Sequence, residues 1–288
     1  MPNFEQPIII PKGKVFEQYR VLTPEEETKL KLDNTPKLEP KLRSASFEQK
    51  QNELITIEKE TIIKYFGEEL GKTIEVPPLP AEITSEQLEF WEQNQLALHY
   101  SPGVEITKDN TFPGQTKKLD ADIYKWIVEA KISPEAAKLP KGWILIDTRA
   151  KPNYASGDQM YENDLLAPVL EKLRLAGYIS SFKQTSSRFN ISADELNKAE
   201  VQIALAETLK IKLEQLDLPP ATLYNYLGNA FYPEWGETNT WEWFQEEYSG
   251  GRRLGGGRSG SGGLSSVRYG SSDSRNGNLG FRPLACFF

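Results

Sequence analysis

Residues 249–288 read SGGRRLGGGRSGSGGLSSVRYGSSDSRNGNLGFRPLACFF, and how this stretch is read decides the fold. By composition it is a flexible Gly/Ser/Arg tail, because such a run buries too little apolar surface to offset its ordering entropy. Its apolar residues argue otherwise. Leu254, Leu264, Val267, Leu279 and Phe281 recur at intervals, and the chain closes on Leu284, Ala285, Cys286, Phe287 and Phe288, for which a solvated tail has no use. The pairs Gly256-Gly257 and Gly262-Gly263 suit places where backbone turns sharply or passes close to another strand. The stretch is therefore expected to be ordered, as short strands joined by tight loops.

Its alphabet is restricted as well. Ordinary usage would place roughly five Lys and Glu in a stretch of this length, yet it holds no Lys, Glu, Gln, Met, Trp, His, Thr or Ile. Beside the apolar framework there remain Gly, Ser, Arg, Asn, Asp and Tyr. That set is close to the one enriched in antibody binding loops, where Tyr supplies rigid contact area and Ser, Gly and Asn supply adaptable hydrogen bonds.

Arg253-Leu254, Gly256-Gly257, Ser259, the spacing of Arg268 and Arg275, and Leu279-Gly280-Phe281-Arg282-Pro283 resemble the closing signature of the formylglycine-generating-enzyme branch of the C-type lectin fold. Asn239-Thr240-Trp241-Glu242-Trp243-Phe244 looks like that branch's Asn-x-Trp-Glu-Trp motif, and Leu218-Pro219-Pro220 looks like its Arg-Leu-Pro-Thr segment. The pattern Gly-Gly-x-Ser-x-x-Gly-Gly-Leu-x-x-Val from Gly256 to Val267 is more similar to the variable proteins of diversity-generating retroelements, especially those of archaea and small-genome bacteria. The resemblance covers residues 140–288 and implies a binder. In that family, reverse transcription with adenine mutagenesis rewrites chosen codons, commonly AAY, near the 3′ end of the gene. Replacing either A of AAY never yields Lys, Glu, Gln, Met, Trp or a stop, in keeping with the missing letters.

The whole chain sets further bounds. At 288 residues it is long enough for two domains, each with its own core. The expected division is an N-terminal helical and extended region over 1–135 and an α+β, C-type lectin-like domain over 136–288, with its variable region at 250–283. The single Cys286 excludes an intramolecular disulfide and a Cys-rich metal site. Near the N-terminus only Ile8, Ile9 and Ile10 form an apolar run, too short for a signal-peptide core or a membrane span. The product is therefore expected to start out in the cytoplasm, with its final location, cell surface or virion, left open. From Gly250 onward six Arg face one Asp, a balance of +5, so the net charge of −7 leaves −12 on the preceding residues. Arg252, Arg253, Arg268, Arg275 and Arg282 fall at framework positions of the motif, where guanidinium groups hold loops through paired hydrogen bonds, so a nucleic-acid tail is not expected.

In chain order, residues 1–45 are rich in Pro, Lys and Glu and read as an extended arm with a short strand at Pro7 to Ile10. A helix is expected from Ser46 to Leu70, a linker at Pro77-Pro78-Leu79-Pro80, a helix from Glu86 to Leu98 capped by Ser85, and another from Asp120 to Ala130. His99 is the only histidine. With no Ser or Cys nucleophile in a motif around it, it reads as a surface or cap residue. Trp143 to Ile146 reads as a buried strand, followed by a loop carrying Asp158, Glu162 and Asp164 and a helix from Asp164 to Leu175. That loop lacks the spacing of a calcium site. Ser192 and Glu195 make a capping box for a helix from Ala193 to Leu209, and Trp241 and Trp243 read as framework, with Tyr232 and Trp235 bordering the binding face.

The cysteine pair used by the formylglycine-generating enzymes is absent, as are the sequence patterns of serine hydrolases, zinc proteases and nucleotide-binding loops. The chain therefore reads as a non-enzymatic binder with no catalytic residue, metal or cofactor. Its alternative is a non-variable lectin-type or formylglycine-generating-enzyme-like domain with an enzymatic or cofactor role. The expected framework is Leu254, Gly256, Gly257, Gly263, Leu264, Val267, Leu279, Gly280, Phe281 and Arg282. The expected ligand-facing residues are Gly255, Arg258, Gly260, Ser261, Ser265, Ser266, Arg268, Tyr269, Gly270, Ser271, Asn276, Gly277 and Asn278. The expected partner is an unknown protein or other macromolecule, without nucleic acid or membrane insertion. Self-association through the N-terminal region stays open.

Overall fold

A computed structural model describes residues 45–288. The strand expected at Pro7 to Ile10 and the arm around it lie outside the described residues. Those described belong to one compact unit of mixed α and β structure, with eight α-helices and two four-stranded sheets. Among the described residues no helix is long and apolar enough to cross a membrane.

The first sheet is ordered β1-β2-β8-β3, from β1 (Leu96–Pro102), β2 (Lys141–Asp147), β8 (Leu284–Phe287) and β3 (Leu216–Asp217), all antiparallel. The apolar run Trp143 to Ile146 is buried throughout, as a strand covered on both faces requires. The apolar terminus is explained by the same sheet: β8 lies between β2 and β3, with Ile144 opposite Cys286 and Leu216 opposite Ala285. The boundary expected at 135/136 falls inside the unit, since β1 and β2 stand on either side of it and pair along their whole length.

The second sheet is ordered β6-β5-β4-β7, from β4 (Trp241–Tyr248), β5 (Arg252–Gly256), β6 (Val267–Ser271) and β7 (Leu279–Phe281). Residues 249–288 thus supply three of its four strands and β8 of the first sheet, so they are ordered as expected.

Around the sheets lie α1 (Ala45–Phe66), α2 (Glu68–Gly71), α3 (Ser85–Gln93), α4 (Asp122–Val128), α5 (Ala167–Leu175), α6 (Ala193–Leu196), α7 (Ala199–Leu209) and α8 (Ala221–Ala230). Several expectations shift. The cap of α3 is Thr84 rather than Ser85, in a capping box with Gln87. That helix ends at Gln93, and Leu96 to Leu98, expected in its last turn, belong to β1. The helix expected from Ala193 to Leu209 is broken, because Lys198 is extended and starts a new helix. The segment expected as a linker is packed: Val76 and Leu79 are buried, and the Pro77 carbonyl accepts the indole N–H of Trp143 at 3.1 Å.

A candidate recognition surface on the second sheet

The scaffold beneath residues 249–288 is tied down by buried charge. Arg282 donates from Nη2 to the Arg149 carbonyl at 2.9 Å and pairs with Glu242 at 3.0 Å; its Nη1 donates to the Asp147 carbonyl. Glu242 also accepts the hydroxyl of Tyr161. Arg188 joins Asp147 at 2.5 Å and Asp164 at 2.7 Å, while Arg149 reaches Asp147 at 2.7 Å. Burial pushes the Asp147 carboxyl up, but the guanidinium groups of Arg188, Arg282 and Arg149 outweigh it and hold it below its ordinary value.

A second tie fixes the Gly256-Gly257 turn. The buried Lys151 amine donates to the carbonyls of Trp235 at 2.5 Å and Gly257 at 2.7 Å and to the hydroxyl of Tyr224 at 3.1 Å. Burial pulls this amine down to about 8, against the opposing pull of Glu242. Glycine is required at both turn positions. A Cβ on Gly256 would stand 2.1 Å from the Ser266 carbonyl oxygen, and Gly257 has φ of +86° with the Tyr224 hydroxyl 2.5 Å from where its Cβ would be.

On this frame the framework residues Leu254, Gly256, Gly257, Gly263, Leu264, Val267, Gly280, Phe281 and Arg282 are buried, and Leu279 is half-buried. Arg258, Gly260, Ser261, Ser265, Arg268, Tyr269, Gly270, Ser271, Asn276, Gly277 and Asn278 are half-buried or exposed. Two candidates are not on the surface. Gly255 is buried because β5 runs inside the sheet, where a Cβ would stand 2.9 Å from the Glu242 carbonyl oxygen. Ser266 is buried beneath the turn, with its hydroxyl unpartnered.

Contacts place Arg258, Gly277 and Asn278 in one group of surface candidates and Ser265, Arg268 and Tyr269 in another. Arg258 lies over the Trp241 ring at 5.9 Å, and the Trp241 N–H donates to the Asn278 carbonyl at 2.8 Å. Beside them Gly277 faces Tyr154 and Phe182, and Tyr154 is about half exposed. In the second group, the Ser265 carbonyl accepts the Asp120 N–H at 3.0 Å, and Arg268 pairs with the Asp120 carboxylate at 3.3 Å. Tyr269 stacks on Tyr248 at 4.2 Å, with the edge of Trp126 at 5.5 Å and the guanidinium of Arg252 at 5.1 Å. Gly260 and Ser261 sit in the short turn following Arg258.

Sequence reasoning missed Asp120, Tyr154 and Tyr248 as neighbours of the candidates, because only long-range pairing brings them there. It also misplaced two residues. Trp235, expected to border the face, is fully buried and stacks on Tyr232 at 4.5 Å. His99, expected at the surface or a cap, is buried between Glu58, 2.8 Å from Nδ1, and the Tyr232 hydroxyl, 2.7 Å from Nε2. Both ring nitrogens are thereby occupied. In the loop weighed as a calcium site, Asp164 binds Arg188 and Asp158 pairs with Lys183. Among the described residues no group of three His, Cys, Asp or Glu is placed to hold a metal.

A cleft of about 720 Å³ opens beside the β4–β5 hairpin, lined in part by Ile127, Ile132, Tyr248, Arg252 and Glu246. Glu246 accepts the Ala221 N–H through Oε1 at 2.9 Å, while its Oε2 has no partner, and burial pushes the carboxyl up to about 7. Comparison of the chain with protein-family models, with curated proteins and with solved structures gives no match.

Proposed function

We propose that the chain is a ligand-binding protein in which a C-type lectin-like scaffold displays a hypervariable surface, rewritten by a diversity-generating retroelement through adenine mutagenesis. One observation carries the reading: burial divides residues 254–282 almost along the line between motif framework and candidate contacts. Of thirteen candidates only Gly255 and Ser266 are buried, whereas nine of the ten residues expected as framework are; Arg268 and Arg275, arginines the motif also places in the framework, are exposed. Surface substitutions change stability by about half a kcal/mol, while core truncations cost several, so such a division lets one scaffold host many surfaces. The mixed α and β structure of the described residues, with two four-stranded sheets, is compatible with the α+β class that the lectin-like reading requires, although β7 pairs with β4 in parallel where an antiparallel sheet was expected. A macromolecular partner suits a surface spread across two groups of exposed side chains better than a small molecule does.

The test is to sequence this gene across a population of its host, together with the flanking DNA. Substitutions should concentrate in the codons of the exposed candidates, beside a reverse transcriptase gene and a near-repeat of the 3′ end with adenines at those codons. Substitutions spread evenly over residues 45–288, with no such repeat, would overturn the reading.

A further inference from the structure

Three of the four outer strands in the two sheets are short or covered. At the β1 edge the Tyr100 N–H donates to Glu58 at 3.1 Å, at the β7 edge the Leu279 carbonyl accepts the Asn190 N–H at 3.2 Å, and β3 has two residues. The exception is β6. The bonds from Gly257 N–H to the Ser266 carbonyl and from Ser272 N–H to the Gly251 carbonyl bracket its pairing with β5. Since hydrogen-bonded pairs alternate in an antiparallel ladder, Arg268 and Gly270 turn their backbone groups toward β5, and Val267, Tyr269 and Ser271 turn theirs outward. Arg268 takes the Val267 carbonyl with its own guanidinium at 2.8 Å, and Ser274 N–H takes that of Ser271 at 3.0 Å. The N–H and C=O of Tyr269 and the N–H of Ser271 have no partner among the described residues and belong to exposed residues, whereas Val267 is fully buried, so the open part of the edge is Tyr269 to Ser271.

We infer that β6 is a docking edge that adds one extended, acidic peptide strand of a partner protein. The inference rests on the proposed recognition function and names its partner class. Strand addition satisfies the outward backbone groups by main-chain hydrogen bonds, with specificity from alternate side chains. A residue opposite Tyr269 lies on the same face as Tyr248 and Arg252, where the Tyr269–Tyr248 stack offers an aromatic platform. Its neighbour on the other face stands opposite Arg268. Arg252 is exposed with no carboxylate partner among the described residues, and Arg268 has a half-exposed side chain. A carboxylate beside an aromatic or aliphatic residue fits these two positions. A second copy fits worse, since β6 carries Arg268 and no carboxylate that an identical strand could set opposite it.

The experiment sorts a displayed library of short random linear peptides on the full-length protein. Enriched peptides are expected to alternate acidic with aromatic or aliphatic residues and to slow hydrogen exchange of the Tyr269 amide. Tyr269→Pro removes an outward donor together with the ring and leaves the β5 ladder intact, so it should weaken binding roughly tenfold further than Tyr269→Ala, which removes the ring alone. Tyr269 exchange in the unsubstituted protein gives the same answer without a variant. Failure to enrich such peptides, unchanged Tyr269 exchange on binding, or concentration-dependent dimers that protect Tyr269 would overturn strand addition. If binding falls with Arg258→Ala and Asn276→Ala but not with Tyr269→Pro, the recognition surface stands and the strand does not. If no substitution in either set matters, both fail.

Discussion

Gly256 and Gly260 lie four residues apart in the same Gly-rich run and meet opposite surroundings. A Cβ on Gly256 would press on the backbone oxygen of Ser266 at 2.1 Å and on the Phe244 ring at 2.4 Å, whereas one on Gly260 meets nothing within 4 Å. Gly256→Ala should therefore cost about 3 kcal/mol by overpacking and Gly260→Ala within about 0.5 kcal/mol, measured by urea unfolding. Equal losses would mean that framework and surface have been confused. Glu246 gives a pH signature. Its folded carboxyl titrates near 7, above the ordinary 4.5, so the stability it contributes is present below 4.5 and lost as pH rises toward 7. Glu246→Gln should flatten that decline in a series of melting curves; an unchanged slope would contradict the assignment. At this scale the sequence exposed the glycine pairs and the framework arginines, since their chemistry is local. It hid the role of His99, whose partners Glu58 and Tyr232 stand 41 and 133 residues away.

Among the elements, β8 binds the C-terminus into the fold most firmly. It pairs with β2 and β3 and buries Leu284, Ala285 and Phe287, large side chains being worth about 1.5 to 3 kcal/mol each. Deleting residues 284–288 should abolish the cooperative unfolding transition and leave the remaining chain prone to associate through the bared edges of β2 and β3. A truncated protein melting at an unchanged temperature would refute this placement. The apolar terminus made its burial legible, but not its place between two strands. Periodicity also misled between Leu96 and Leu98, because a short apolar run suits either structure. What decides is pairing: Asn94 and Gln95, the latter with φ of +54°, close the helix, and Leu96 to Pro102 then align with β2.

Among the described residues, the buried network of Arg149, Arg188, Arg282, Asp147, Asp164 and Glu242 joins β2, the loop after it, the segment between α5 and α6, β4 and the residue following β7. Arg282→Met should leave Glu242 without its guanidinium partner and cost roughly 3 to 5 kcal/mol. Because the folded Asp147 carboxyl sits below its ordinary 3.8, its contribution is present above that value and lost as pH falls below it. Acid unfolding should accordingly begin below pH 4 and shift upward in Arg282→Met, as read by circular dichroism. Arg282 was legible as framework from its motif. Its contacts with Asp147 and Arg149, more than 130 residues earlier in the chain, were not. The boundary expected at 135/136 was drawn on local texture, whereas the first sheet spans it by pairing Leu96 with Asp147 and Pro102 with Lys141.

The central claim is that the exposed candidates form a surface separable from the scaffold. Its most direct measurement compares two displayed libraries of this protein. One is randomised at Arg258, Gly260, Ser261, Ser265, Arg268, Tyr269, Gly270, Ser271, Asn276, Gly277 and Asn278; the other at an equal number of exposed positions on α1, α3 and α5. Both are selected against one panel of immobilised proteins. The account predicts that the first library stays protease-resistant and yields specific binders to several panel members, while the second yields few. Loss of protease resistance in the first library, or equal yields from the two, would contradict it.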